Sequence, residues 1–212
     1  MNVLIGQPKM ERNLEQLKLE IESNPTVDLI LYPEGYCTYT ELDVLGNLAI
    51  KFNTSIVLGY RDDTNKDRVL IINKKGETLL TRRKTPENEL LFMPSNVTDE
   101  LEEYGYLLCR EIFMGSEGLK THEQLSIIFN PIGVGMFSEE QFTEWSEEAR
   151  KIAMERKAMI IGTSHADGSY RNCGFSIPIA YCFDENGEEV FLSKNDTRTR
   201  VLETDSRVTT FV

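Results

Sequence analysis

The sequence predicts a layered α/β domain, and three observations carry that expectation. Asp28-Leu29-Ile30-Leu31-Tyr32 and similar runs are almost continuously apolar, as in strands covered on both faces. Between such runs lie segments whose apolar residues recur at helical spacing. The order up to Gly59 is strand, helix, strand, helix, strand, the alternation of an α/β layer. The chain of 212 residues is long enough for one sizeable domain, and no linker divides it.

Taken in order, Val3 to Ile5 reads as a first strand. Leu14, Leu17 and Ile21 predict a helix after Pro8, which Asn24-Pro25 ends. Asp28 to Tyr32 is the second strand, stopped by Pro33-Glu34-Gly35. Leu45, Leu48 and Ala49 share one face of a helix over Leu42 to Phe52, and Ser55 to Gly59 is another buried strand. Val69 to Asn73, the turn Lys74 to Glu77 and Thr78 to Thr81 make a hairpin that runs into Arg82-Arg83-Lys84. A loop is expected from Thr85 to Asp99. The apolar run Tyr106-Leu107-Leu108 then delivers Cys109 to the charged pair Arg110-Glu111. Leu125 to Phe129 is a strand ending at Asn130-Pro131. Ser138 with Gln141 is a capping box for a helix whose stripe is Phe142, Trp145, Ala149, Ile152 and Ala153. Met159 to Thr163 is a strand, Ser176 to Phe183 and Val190 to Leu192 form a hairpin around Asn186-Gly187, and from about Ser193 an extended polar tail is expected.

Composition narrows the function. Hydrophobic residues are 40% and charged residues 27% of the chain, the balance of a globular protein. A formal net charge of −12 repels phosphate backbones and anionic lipid surfaces, so neither nucleic acid nor membrane is an expected partner. Met1 to Gln7 lacks a charged leader region, and no run approaches the length of a membrane span. Cys37, Cys109, Cys173 and Cys182 lack CxxC spacing and read as reduced thiols, which points to a cytoplasmic setting. His122 and His165 have no spaced ligand partner, so no metal is expected. Cys173 and Cys182 read as core or surface thiols.

Three strand ends carry reactive groups: Pro33-Glu34, Arg83-Lys84 and Leu108-Cys109. A cysteine in an apolar run is, by itself, most often a small core residue. A basic run such as Arg82-Arg83-Lys84 is usually solvated surface. Together, however, they supply what a nucleophilic thiol needs: a base in Glu34, and in Lys84 a cation that also suits the oxyanion of a tetrahedral intermediate.

These segments resemble the nitrilase, or carbon-nitrogen hydrolase, superfamily. The resemblance rests on Asp28-Leu29-Ile30-Leu31-Tyr32-Pro33-Glu34, on the hairpin at Gly76-Glu77 leading to Arg83-Lys84, and on Gly105-Tyr106-Leu107-Leu108-Cys109-Arg110-Glu111. Gln7, Ile56 to Gly59, Asn130-Pro131, the Trp145 helix and Gly174-Phe175-Ser176 extend it over nearly the whole chain. It implies a single-domain α/β/β/α sandwich. By that resemblance Glu34 is the general base, Lys84 the oxyanion stabiliser, Cys109 the nucleophile, and the Arg110 backbone N–H a second oxyanion donor. It also implies a supporting glutamate near the lysine, Glu89 or else Glu87. Cys37, Glu111 and Asn130 are further candidates for the pocket, although Glu111 also suits a structural hydrogen bond. The implied substrate is a small molecule with a non-peptide carbon–nitrogen bond, an amide first and a carbamoyl group or nitrile next. No cofactor is implied, and the implied assembly is a homodimer packed through helices, or a higher homo-oligomer. After Cys109 the chain departs from the family pattern: Arg110 stands where an aromatic residue is common, and Phe113-Met114-Gly115 replaces the later motif. That departure leaves open a second reading, a binding or regulatory protein on the same scaffold.

Overall fold

A computed structural model describes residues 1–11, 13–119 and 124–212; His122 lies outside the described residues. Two sheets make the body of the molecule. The first has the order β14 (Val208–Phe211), β13 (Arg200–Glu203), β1 (Asn2–Ile5), β2 (Leu29–Leu31), β4 (Ser55–Arg61), β5 (Asp67–Ile72), β6 (Thr78–Arg83), with the short β3 (Cys37–Thr38) also paired to β4. The second runs β12 (Glu189–Lys194), β11 (Ile179–Phe183), β10 (Met159–Thr163), β9 (Ile127–Pro131), β8 (Glu102–Tyr106), β7 (Asn96–Asp99). Each has a parallel centre, β1-β2-β4 in one and β8-β9-β10 in the other, flanked by antiparallel hairpins.

The period of two along each strand explains the layering. Val3, Ile5, Leu29, Leu31 and Val57 face Tyr106, Ile127, Phe129 and Ile161 in one core between the sheets. Their neighbours Leu4, Ile30 and Ile56 point the other way, onto Leu17, Ile21, Leu45 and Ala49 of α1 (Glu15–Ser23) and α2 (Leu42–Phe52). Ile128 and Ile160 likewise meet Trp145, Ala149 and Ile152 of α4 (Glu139–Arg156). The result is an α/β/β/α sandwich, with α3 (Gly115–Gly118) a single turn after the cysteine segment. The Tyr106 hydroxyl donates to the Leu58 carbonyl at 2.7 Å and so bolts one sheet to the other.

Three details differ from the sequence reading. Asn96–Asp99, inside the expected loop, is a strand because it pairs antiparallel with β8, starting Asn96 opposite Gly105. The polar segment after Ser193 is no free tail: Arg200–Glu203 pairs with β1 and Val208–Phe211 with β13, so backbone pairing outweighs the polar composition. Ser138 does cap α4, accepting from the Gln141 N–H at 3.2 Å, but the Gln141 side chain accepts from the Phe137 N–H at 2.7 Å. Among the described residues no helix is long and apolar enough to cross a membrane.

Phe129 is fully buried between the sheets. Phe129→Ala is expected to cost about 3 to 5 kcal/mol in chemical denaturation; a loss below about 1 kcal/mol would contradict a shared inter-sheet core.

Candidate active site

The cysteine segment turns where β8 ends. Leu107 still donates its N–H to Phe129 of β9 at 2.9 Å, but Leu108 opens a 3-10 turn over Cys109–Met114. Cys109 itself has φ +53°, left-handed backbone that a non-glycine residue adopts at a cost of roughly 1 to 2 kcal/mol. Two buried anchors hold that conformation. The Glu111 carboxylate, with no exposure, accepts from Arg82 Nη1 and Nη2 at 2.8 and 2.7 Å, from the Thr85 N–H at 2.6 Å and from the Leu108 N–H at 2.7 Å. Asn130 Nδ2 donates to the carbonyls of Leu107 at 2.6 Å and Cys109 at 3.1 Å, while its Oδ1 accepts from Tyr181 at 2.7 Å and Trp145 at 3.2 Å. Every hydrogen-bonding position of that buried amide is used.

Lys84 follows β6 and Glu34 follows β2, so the facing sheets bring both to the cysteine. The period of two along β6 sends Arg82 and Lys84 to the inner side and Arg83 to solvent. Lys84 Nζ donates to Glu34 Oε1 at 2.6 Å, and the Cys109 thiol is hydrogen-bonded to the Glu34 carboxylate. Glu34 is 2% exposed, Cys109 9%, and the Lys84 side chain 27%. Burial raises the Glu34 carboxyl above its ordinary value; Lys84 opposes this and Asp67 adds to it. Burial also pushes the Cys109 thiol up to about 12, helped by the Glu34 charge and opposed by Lys84 and the Gly133 N–H. At rest, therefore, the thiol is neutral rather than a preformed thiolate. Burial favours a neutral Lys84, yet the carboxylates of Glu34 and Asp67 hold it charged and above its ordinary range.

The other candidates fall around this centre. Glu87 and Arg110 form an exposed ion pair at 2.8 Å, and Glu89 is exposed; the carboxylate in contact with Lys84 is Glu34. Glu111 and Asn130 lie beneath the turn as its supports. Cys37 packs in the core under α1 and α2, and burial raises its thiol. Cys182 is buried between the sheets and Cys173 is exposed. Among the described residues no cluster of His, Cys, Asp or Glu is placed to hold a metal ion.

Three residues at the site carried no sequence signal. Gly133 lies so close that a Cβ there would come within 2.5 Å of Glu34 Oε2 and of the Tyr170 ring. Tyr170 packs against Gly133 and Gly35 beside the Glu34 carboxylate, and its ring stacks on His165 at 5.2 Å and 18°. His165 Nε2 donates to the Glu34 carbonyl at 3.0 Å, and burial lowers its pKa to about 4.

Two measurements check this construction. Glu111→Ala leaves Arg82 buried without its carboxylate and is expected to cost about 3 to 5 kcal/mol by chemical denaturation. His165 binds fewer protons folded than unfolded between its ordinary 6.5 and about 4, so stability rises with pH across that window. As pH falls through it, about 3 kcal/mol is expected to be lost, and His165→Gln should remove that slope.

Neither a family model nor a curated sequence matches the chain. Its structure does match. A carbon-nitrogen hydrolase from Helicobacter pylori G27 superposes with a TM-score of 0.71 at 14% identity, over 94% of this chain and 87% of that one. XC1258 from Xanthomonas campestris, a CN-hydrolase superfamily protein with an arsenic adduct in its active site, gives 0.75 at 10%, over 98% and 92%. A mutant of the amidase from Nesterenkonia sp. AN1, with the acetamide moiety of fluoroacetamide added covalently at its active-site cysteine, gives 0.69 at 12%, over 95% and 89%. With its two facing sheets and outer helices, the chain has the fold of the carbon-nitrogen hydrolase, or nitrilase, superfamily.

Proposed function

We propose that the protein is a cysteine-dependent hydrolase of a non-peptide carbon–nitrogen bond in a small molecule, an amide before a carbamoyl compound or nitrile. The observation that carries the reading is the contact of Glu34 with both the Lys84 ammonium and the Cys109 thiol in a nearly closed site. The fold likeness to an amidase whose active-site cysteine carries an acetamide moiety supports it.

The neutral thiol sets the order of events. As Cys109 Sγ bonds to the amide carbon, its proton passes to Glu34, whose raised pKa suits it as acceptor. The oxyanion is met by Lys84 and by the backbone N–H of Arg110. Glu34 returns the proton to the departing ammonia or amine, leaving a thioester. A water molecule, deprotonated by Glu34, then attacks the thioester, and its collapse gives the acid and restores the thiol. Lys84 stays charged throughout.

On a panel of aliphatic amides, ω-amides, N-carbamoyl compounds and nitriles, Cys109→Ala should abolish turnover. Lys84→Met should lower kcat by roughly a hundredfold or more. The acid limb of kcat/KM should lie above the ordinary carboxylate value of 4.5, because protonated Glu34 cannot accept the thiol proton. Turnover that persists in Cys109→Ala would overturn the proposal.

A further inference from the structure

The residues facing the site from β4, β5 and β6 form one cross-strand row. Arg61 stands opposite Asp67, and Lys84 donates its N–H to the Asp67 carbonyl at 3.0 Å. Asp67 is two residues before Val69, whose side chain lies in the inter-sheet core, so the row is on the inner face. The Asp67 carboxylate accepts from the Tyr170 hydroxyl at 3.0 Å and from Arg171 Nη2 at 2.6 Å, and it lies 3.6 Å from Arg61 Nε. It is only 9% exposed, and two guanidinium groups share it. Arg61 Nε and Nη2 are buried without a hydrogen bond, so this one carboxylate is the counter-charge for a crowded cation pair.

Tyr170 and Arg171 belong to a loop pinched at its base, where Gly174 donates its N–H to Gly168 at 3.1 Å. Within it, Arg171 and Asn172 have φ +54° and +55°. Consecutive left-handed residues without glycine persist only where their surroundings over-determine them. Asp67 holds both the tyrosine that covers Glu34 and the arginine in that strained backbone.

We propose that Asp67 is a positioning residue of the site: it latches the 168–174 loop through Tyr170 and Arg171, and thereby keeps the Glu34 carboxylate dry and in place. The proposal deepens the hydrolase reading and rests on it for its catalytic meaning, but its geometry stands apart. The groups facing Glu34 are Lys84, Cys109, Asp67, Tyr170 and His165; those facing Asp67 are Arg61, Arg171, Tyr170 and, one strand over, Lys84. Removing the Asp67 charge takes one anion from beside Glu34 and frees the loop to admit water. Both changes stabilise the ionised carboxylate, so both move the Glu34 pKa down.

The test is a carboxyl-carbon NMR titration of Glu34 in the full chain, with amide hydrogen exchange over residues 168–174. Asp67→Asn should lower the Glu34 pKa by about one unit and speed loop exchange about tenfold. Tyr170→Ala, which keeps the Asp67 charge but removes the cover, should do the same, while Asp67→Glu should stay near the wild type. Any measured amide turnover should show its acid limb moving to lower pH in parallel. If Asp67→Asn does not fold, Tyr170→Ala and Asp67→Glu decide. A Glu34 titration unmoved by Tyr170→Ala, or loop protection unchanged in that variant, overturns the latch. A wild-type protein with no turnover on the panel would sink the hydrolase reading, while the titration would still decide the role of Asp67.

Discussion

The site depends on a buried ion pair that does no chemistry. Glu111 receives both arms of the Arg82 guanidinium and two backbone N–H groups, from Thr85 and Leu108. Those four bonds tie the residue after Lys84 to the residue before Cys109, across the gap between the two sheets. Taking two charges out of water is costly, and such a pair is repaid only when every donor and acceptor is used. Here the carboxylate accepts four bonds, and beyond it Arg82 Nη1 donates to the Arg83 carbonyl while Nε is shared between the Pro94 carbonyl and the Ser95 hydroxyl. What the pair secures is geometry, because it keeps Cys109 in left-handed backbone at the mouth of β8 and holds Lys84 within reach of Glu34.

Around that anchor the electrostatics divide the labour. Burial alone would neutralise every titratable group of the site, but the groups are placed so that each answers differently. The thiol stays protonated, with its pKa pushed up to about 12. Glu34, raised but beside a cation, can take a proton and give it back. Lys84, beside the Glu34 and Asp67 carboxylates, remains a fixed charge. In the mechanism we propose, one proton moves among thiol, carboxylate and leaving group while the ammonium holds the oxyanion. The site has no need of a thiolate at rest, which would have to be desolvated in the same pocket. His165, held neutral beneath the Glu34 backbone, adds a rigid floor without a competing charge.

Much of this was legible in the sequence where a strong periodic signal exists. The buried runs at Val3 to Ile5, Asp28 to Tyr32 and Met159 to Thr163, and the stripe of the Trp145 helix, place the layers. The strand ends at Glu34, Lys84 and Cys109 identify the residues that the fold brings together. Read as a strand, even the basic run Arg82-Arg83-Lys84 contains its answer: alternation sends Arg82 and Lys84 inward. The supporting groups were harder to see because they act across long separations. Asp67 looks like a hairpin-edge acid and Tyr170 like a loop aromatic, and only the register of β4 with β5 and the fold of the 168–174 loop bring them over Glu34. Nothing in the local sequence at Gly133 reports that a carboxylate oxygen occupies the space a Cβ would need. The resemblance implies a supporting glutamate at Glu89 or Glu87, but residues 86–90 are exposed and the carboxylate on Lys84 is that of Glu34.

The central claim is that Cys109, with Glu34 as proton carrier, is the nucleophile of the site. It is tested most directly by incubating the wild-type chain and Glu34→Gln with fluoroacetamide and mapping the adduct by peptide mass spectrometry. The account predicts an acetamide moiety on Cys109 in the wild type, its Sγ displacing fluoride from the α-carbon as Glu34 takes the thiol proton, and a much slower reaction in Glu34→Gln. Modification confined to the exposed Cys173, with Cys109 untouched in both proteins, would contradict it.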